Sequence, residues 1–248
     1  MLMRHLSQTL NRTMTMTTSG RDLPGGENWP MHDRSYVPAL GDRRLSPFYD
    51  TTIALLTCER TWRRAFVKQI APQPRDVILD LGCGTGSLAI LLKRDCPSAS
   101  VYGVDADPDI LTRAEAKARD ADVLIHFSQG YAQDVAAIAA HVRPNKIVSS
   151  LVLHQMPLAA KRTAILNAFA ALGHGGELHI ADYGLQASPL MRLAFRQVQS
   201  LDGFANTQPN ADGILPELMA EAGFTDIRET RTIPTPTGSI SLYSARRE

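Results

Sequence analysis

Val77-Ile78-Leu79-Asp80-Leu81-Gly82-Cys83-Gly84-Thr85-Gly86 carries a short apolar run straight into a turn with glycine at alternate positions. Val77 to Leu81 is too short for a helix and, bounded by glycines, reads as a buried strand. Gly82, Gly84 and Gly86 let the backbone fold tightly and let a ligand approach with no Cβ in the way. A helix over Gly86 to Arg94 would follow, with free N–H groups at its start. Something small and partly polar belongs at this turn.

Downstream, short apolar runs alternate with helical stretches, the sequence form of repeated βαβ units. Strands are expected at Ser100 to Val104, Val123 to Ser128, Lys146 to Val152 and Glu177 to Ala181. Helices are expected at Pro108 to Arg119 with Asp107 as N-cap, Asp134 to His141, Pro157 to Leu172, Ser188 to Leu201 and Leu215 to Ala222. Thr225 to Ile233 and Ser239 to Ser244, joined through Pro234, Pro236 and Gly238, read as a closing hairpin. The expected fold is therefore α/β: a doubly wound, mostly parallel seven-stranded sheet with an antiparallel edge hairpin.

Upstream, Pro24, Gly25, Gly26, Pro30, Pro38, Gly41 and Pro47 leave little room for regular structure. Residues 1–44 are expected to be a flexible tail and 45–248 a single domain. Ile53, Leu55, Leu56, Trp62, Phe66, Val67 and Ile70 suit amphipathic helices, a cap over residues 48–70 that ends before Pro72. Arg60, Arg63, Arg64 and Lys68 lie there at helical spacing, either as a solvated face or as a cap attracting an anionic substrate.

The 248 residues suffice for one large α/β domain, and 44% apolar with 21% charged residues is ordinary for a globular chain. A net charge of +1 provides no field that would gather nucleic acid. Cys58, Cys83 and Cys96 form neither a disulfide framework nor a metal-ligand pattern, which points to a reducing cytoplasm and no metal. No apolar run reaches the ~20 residues of a membrane span. The acid-free stretch through Arg21, with Arg4 and Arg12, is read as an unstructured tail, an over-long start upstream of Met14 or Met16, or a transit peptide.

A second acid narrows the ligand. Asp105 follows the second strand, 23 residues past Gly82, where a carboxylate can accept both ribose hydroxyls of an adenosine. A dinucleotide fingerprint would be G-x-G-x-x-G, whereas the glycines here fall at 82, 84 and 86 and position 87 is Ser87. Asp80 at the strand tip would repel a pyrophosphate but can serve the α-ammonium of a methionine moiety. The physical case is for a sulfonium amino-acid cofactor, S-adenosylmethionine.

On these residues the chain resembles the class I S-adenosylmethionine-dependent methyltransferases, whose motif is D-x-G-x-G-x-G, over about Phe48 to Arg246. Phe48-Tyr49-Asp50 and Arg60-Thr61-Trp62-Arg63 also resemble the entry helices of the ubiquinone/menaquinone C-methyltransferase branch and its relatives among bacterial phospholipid N-methyltransferases. The resemblance implies that Asp80, Gly82, Cys83, Gly84 and Gly86 hold the methionine end and Asp105 the ribose, with Ala106 beside the adenine. It implies further adenine contacts from Gly130, Tyr131 and Ala132, although Tyr131 replaces the family's usual acid. Tyr49 would reach the cofactor carboxylate, and Ser149 would join the cofactor site.

The segment Ile147 to Met156 ends at the carboxyl edge of the sheet, where ligands of open α/β folds bind. His154 is thus a candidate general base with a pKa near neutrality, or a structural histidine. Asp182, ending the fifth strand, would orient an acceptor or cap the following helix, while His179 inside that strand is expected to be structural. Methyl transfer by in-line displacement needs mainly alignment. The acceptor would be small or lipid-like, admitted between the cap and the Ala187 to Phe204 segment. Met191, Leu193, Phe195, Val198 and Leu201 either line its apolar wall or pack helix on sheet. The sequence also accommodates a homodimer, a catalytically silent scaffold that keeps the adenosyl pocket, and, less well, a nicotinamide-dependent oxidoreductase.

Overall fold

The computed structural model describes residues 58–131 and 135–248. The expected tail over 1–44 and the first part of the cap, with Tyr49 and Ala132, lie outside the described residues.

The first described element, α1 (Glu59–Ile70), is amphipathic and buries Trp62, Phe66, Val67 and Ile70. Then come β1 (Val77–Leu81), α2 (Ser87–Asp95), β2 (Ser100–Asp105), α3 (Pro108–Asp120), β3 (His126–Gln129), α4 (Val135–Val142) and β4 (Lys146–Ser150). A 3-10 turn over Leu153–Gln155 leads to α5 (Leu158–Ala171), β5 (Glu177–Tyr183), α6 (Pro189–Asp202), α7 (Phe204–Ala211), α8 (Leu215–Glu221), β6 (Thr225–Thr235) and β7 (Gly238–Arg246). The strands form one sheet in the order β3-β2-β1-β4-β5-β7-β6. The first five neighbours run parallel, and β7 runs antiparallel to both β5 and β6. The order reverses between β1 and β4, so the carboxyl ends of these strands flank the crevice in which such sheets bind ligands.

Both faces of the sheet are covered. Ile78, Val101, Val148, Ala181 and Ile240 pack into one core with α1, and Leu79, Leu81, Val104, Ile147, Leu178 and Ile180 into the other. Alternation along a strand puts Asp80 on the same face as Ile78, the face that α1 covers.

Departures from the expected boundaries have local causes. β3 starts at His126 rather than Val123, because Asp122 turns through φ 52° and the Val123 N–H closes α3 on the Ala118 carbonyl. β4 stops at Ser150 rather than Val152, because Leu151 adopts φ 56° and the chain turns towards Asp182. Sequence periodicity missed α7, a helix interrupted by Pro209. Asp107 caps α3 as expected, its carboxylate accepting the Asp109 N–H at 2.9 Å. Among the described residues no helix is long and apolar enough to cross a membrane.

Candidate functional site

The turn after β1 is built by packing from two other strands. Gly82 has φ +67°, and a Cβ there would lie 2.3 Å from Val152 Cγ2, so only glycine lets the loop after β4 close against the turn. At Gly84, φ +54°, a Cβ would meet no atom within 4 Å, so this glycine leaves open space beside the backbone. Phe127 from β3 wedges beneath the turn, its Cζ 2.9 Å from the Cβ position of Gly86. Periodicity in the sequence marks neither Val152 nor Phe127 as part of the site; only the sheet order brings them to it.

Asp80 closes β1 at the level of Gly103 in β2 and Val148 in β4. Its side chain is fully buried, and neither carboxylate oxygen has a hydrogen-bond partner among the described residues. A bare buried carboxylate is costly. Burial pushes its pKa up to about 7; the Arg63 charge opposes the rise and the Asp105 charge adds to it. An unpaired carboxylate beside an open glycine turn fits a cationic ligand group, and the α-ammonium of a methionine moiety is such a group.

Asp105 ends β2 in the next position along the crevice. Its Oδ2 accepts the Gly84 N–H at 2.9 Å and its Oδ1 the Asp107 N–H at 3.0 Å. These bonds fix the carboxylate against the glycine turn while leaving further lone pairs for hydroxyl groups. Burial raises its pKa, opposed by the N–H groups of Asp107 and Gly84. Gly130 follows β3, its N–H on the Asp105 carbonyl at 3.0 Å, with the half-buried Tyr131 next to it. The Ala106 carbonyl accepts from Gln129 Nε2 at 3.1 Å, joining the ends of β2 and β3. Cys83 is buried, its thiol pushed well above its ordinary pKa by that burial, and so inert. Asp80, the glycines, Asp105, Ala106, Gly130 and Tyr131 therefore lie together at the carboxyl ends of β1, β2 and β3.

Three candidates turn inward. The Ser149 hydroxyl donates to the Leu81 carbonyl at 2.9 Å and is buried, stapling β4 to β1. Asp182 is fully buried, and its Oδ2 accepts the N–H groups of Val152, Leu153 and His154 at 3.2, 2.7 and 3.3 Å. Its Oδ1 takes the Tyr183 N–H at 2.7 Å and His154 Nδ1 at 2.6 Å. It holds the loop whose Val152 closes on Gly82.

His154 is 3% exposed, and its Nε2 faces the Asp202 carboxylate at 3.4 Å. Burial lowers its pKa, but Asp182 and then Asp202 outweigh that and set it at about 9. With a carboxylate at each ring nitrogen, the protonated form of the imidazole is favoured. His179 is structural, its Nδ1 at 3.3 Å from Gln69 Nε2 and its Nε2 at 3.2 Å from Glu177. Of the basic cluster, Arg60, Arg64 and Lys68 are exposed, whereas Arg63 is tucked against Glu59 and over the Trp62 ring.

A family model described as a methyltransferase domain matches residues 78–176, from β1 to the start of β5. The chain is 27% identical over 176 residues to the ubiquinone/menaquinone biosynthesis C-methyltransferase of Syntrophotalea carbinolica, covering 70% of this chain and 68% of that protein. It is 37% identical over 79 residues to the demethylmenaquinone methyltransferase of Lactobacillus johnsonii, which is 31% of this chain and about a third of that relative, 32%. The magnesium protoporphyrin IX methyltransferase of Synechocystis PCC 6803, solved with bound SAH, superimposes with a TM-score of 0.57 at 16% identity, covering 87% of this chain and 90% of that one, which speaks to the fold alone. With the strand order, the glycine turn and the two acids in place, the chain carries a methyltransferase domain over residues 78–176 and is similar to the class I S-adenosylmethionine-dependent methyltransferases.

Proposed function

We propose that this enzyme methylates a small, lipid-like acceptor of quinone or phenol type, with Asp80, the glycine turn and Asp105 holding the donor. The observation that carries the donor site is the unpartnered Asp80 carboxylate at the end of β1. The acceptor class rests on the two quinone-biosynthesis relatives and on α6, whose Leu190, Leu193 and Leu201 form an exposed apolar stripe. Ala132 and Tyr49 complete the donor site in this reading, within a domain running from residue 45. The enzyme acts in the cytoplasm, in keeping with the free thiols of Cys58, Cys83 and Cys96.

When bound, S-adenosylmethionine supplies a methyl group on a sulfonium whose departure leaves a neutral thioether. The chain's own residues supply alignment, which can be worth ~7 to 11 kcal/mol. Asp80 neutralises the ammonium end, Asp105 orients the ribose, and Asp182 holds the Val152 loop against Gly82 so that the cradle keeps its shape. Since His154 is engaged at both nitrogens, it does not take a proton from the acceptor. The acceptors best served are those that arrive already nucleophilic, such as an ionised phenol or its ring carbon.

Calorimetric titration with S-adenosylhomocysteine tests the donor site: wild type binds and Asp105→Ala does not. Incubating the protein with isotope-labelled donor and a lipid extract, followed by mass spectrometry, tests the acceptor. Undiminished binding by Asp105→Ala overturns the site, and label appearing only on water-soluble products overturns the acceptor class. Donor binding with no labelled product favours the silent scaffold.

A further inference from the structure

Asp202, the last residue of α6, meets the loop after β4 through a histidine. His154 Nε2 lies 3.4 Å from Asp202 Oδ2, and its Nδ1 lies 2.6 Å from Asp182 Oδ1. Three ionisable groups from α6, the 3-10 turn and β5 thus stand in one row, their side chains 17%, 4% and 1% exposed. The Tyr183 ring packs edge to face on the imidazole, with centroids 5.0 Å apart. Burying such a row costs desolvation that apolar side chains of similar volume avoid, so stability alone is a poor reason for it. The best-attested use of buried polar and ionic groups is to fix the register of one element on another.

The elements joined here have use for such a device. Of the fourteen residues of α6 only Phe195 and Val198 are buried, while Leu190, Leu193 and Leu201 are exposed. A helix anchored by so few buried side chains opens locally at low free energy. Gly203, with φ +87°, breaks the chain between α6 and α7, and α7 is fastened on its own. The buried Lys161 Nζ of α5 donates to the Asn206 carbonyl and to Asn210 Oδ1, both at 2.5 Å, and Asn210 Nδ2 donates to the Tyr183 carbonyl at 2.9 Å. Gln199 of α6 adds one amide bond to Gln208 of α7 at 2.9 Å. Among the described residues, the polar tie from the end of α6 to the carboxyl edge of the sheet is Asp202 on His154.

On the far side of the row, Asp182 Oδ2 accepts the Val152 and Leu153 N–H groups at 3.2 and 2.7 Å. Val152 in turn closes on Gly82, its Cγ2 2.3 Å from where a Cβ would stand. Contact is therefore continuous from α6 to the glycine turn. Resting on the donor reading above, we propose that Asp202 is a positioning residue which, through His154, Asp182 and Val152, couples the seating of α6 to the filling of that turn. A donor that settles the turn settles α6, whose apolar stripe serves the acceptor in the same reading. A seated α6 holds the donor more tightly by the same factor, because coupling between two sites is reciprocal.

Amide hydrogen exchange of the full-length protein, read by mass spectrometry with and without S-adenosylhomocysteine, tests the coupling. In wild type the ligand slows exchange about fivefold or more both at the turn, residues 82–90, and at the end of α6, residues 198–203. In Asp202→Ala the turn is still protected, the protection of α6 is lost, and calorimetry shows S-adenosylhomocysteine weakened by the factor lost at α6. A merely structural Asp202 gives a different pattern: α6 exchanges faster with and without ligand, protection by the ligand persists, and affinity is unchanged. Asp202→Asn, which keeps the volume and removes the charge, loses part of both effects and carries the same comparison if the alanine variant does not fold. Ligand protection of α6 that survives in the variants, unchanged affinity, or a wild type protected at the turn alone overturns the coupling. Protection at neither segment overturns the donor reading and the coupling with it, a result distinguishable from loss at α6 alone.

Discussion

Replacing Asp80 by asparagine should stabilise the unliganded protein and weaken donor binding. In the fold the carboxyl is raised from 3.8 to about 7, chiefly by burial. A carboxyl raised in the native state destabilises when ionised: the penalty is absent below the unfolded value, grows as pH rises from 3.8 to about 7, and is constant above. Three units at about 1.4 kcal/mol each give a full penalty of about 4 kcal/mol, of which roughly 2 to 3 kcal/mol develops between pH 5 and pH 8. Asparagine carries no such dependence, although its own unpartnered amide costs about 1 to 3 kcal/mol at every pH. Urea denaturation of wild type and Asp80→Asn, followed by circular dichroism at pH 5 and pH 8, should therefore show the difference shifting in the variant's favour by roughly 2 to 3 kcal/mol at the higher pH. At pH 8 the same variant should bind S-adenosylhomocysteine at least about tenfold more weakly, having lost an ionic partner for the ammonium. For the wild type, affinity should rise between pH 6 and pH 8 as Asp80 ionises. A pH-independent stability difference, or undiminished binding, would refute the picture of a bare carboxylate held for a cation.

His154 gives the opposite sign: raised from 6.5 to about 9, it stabilises fully below pH 6.5 and loses its contribution as pH climbs through 9. Wild type should lose about 3 kcal/mol over that window in urea melts, and His154→Gln should lose little. Gly82→Ala places a methyl 2.3 Å from Val152 Cγ2 at φ +67°. It should cost about 1 to 3 kcal/mol and sharply reduce S-adenosylhomocysteine affinity, read by thermal shift and calorimetry. Lys146 pairs with Asp76 at 2.9 Å and holds the end of α1. Lys146→Met removes the counter-charge of Asp76 while its hydrogen bonds from Asn145 and Gln73 remain, and should cost about 1 to 3 kcal/mol in denaturant unfolding.

Much of the architecture is legible along the chain because its causes are local. A five-residue apolar run announces β1, alternate glycines announce a turn that needs left-handed φ angles, and Asp107 before Pro108 announces the start of α3. The pairing of Asp80 with Asp105 as one site is also readable, because consecutive βαβ units place successive strand tips side by side. What lay beyond the sequence is the state of each polar side chain. Nothing local says that His154 meets carboxylates on both sides, since Asp182 and Asp202 arrive from 28 and 48 residues away. Nor does it say that Ser149 turns its hydroxyl to Leu81, 68 residues back, or that Arg63, read as part of a solvated face or of a cap for an anionic substrate, pairs with Glu59 and leans on Trp62. Periodicity and turn chemistry fix which residues reach the carboxyl edge, whereas protonation, hydrogen-bond saturation and the partners left wanting depend on distances that exist only once the sheet and its helices have packed.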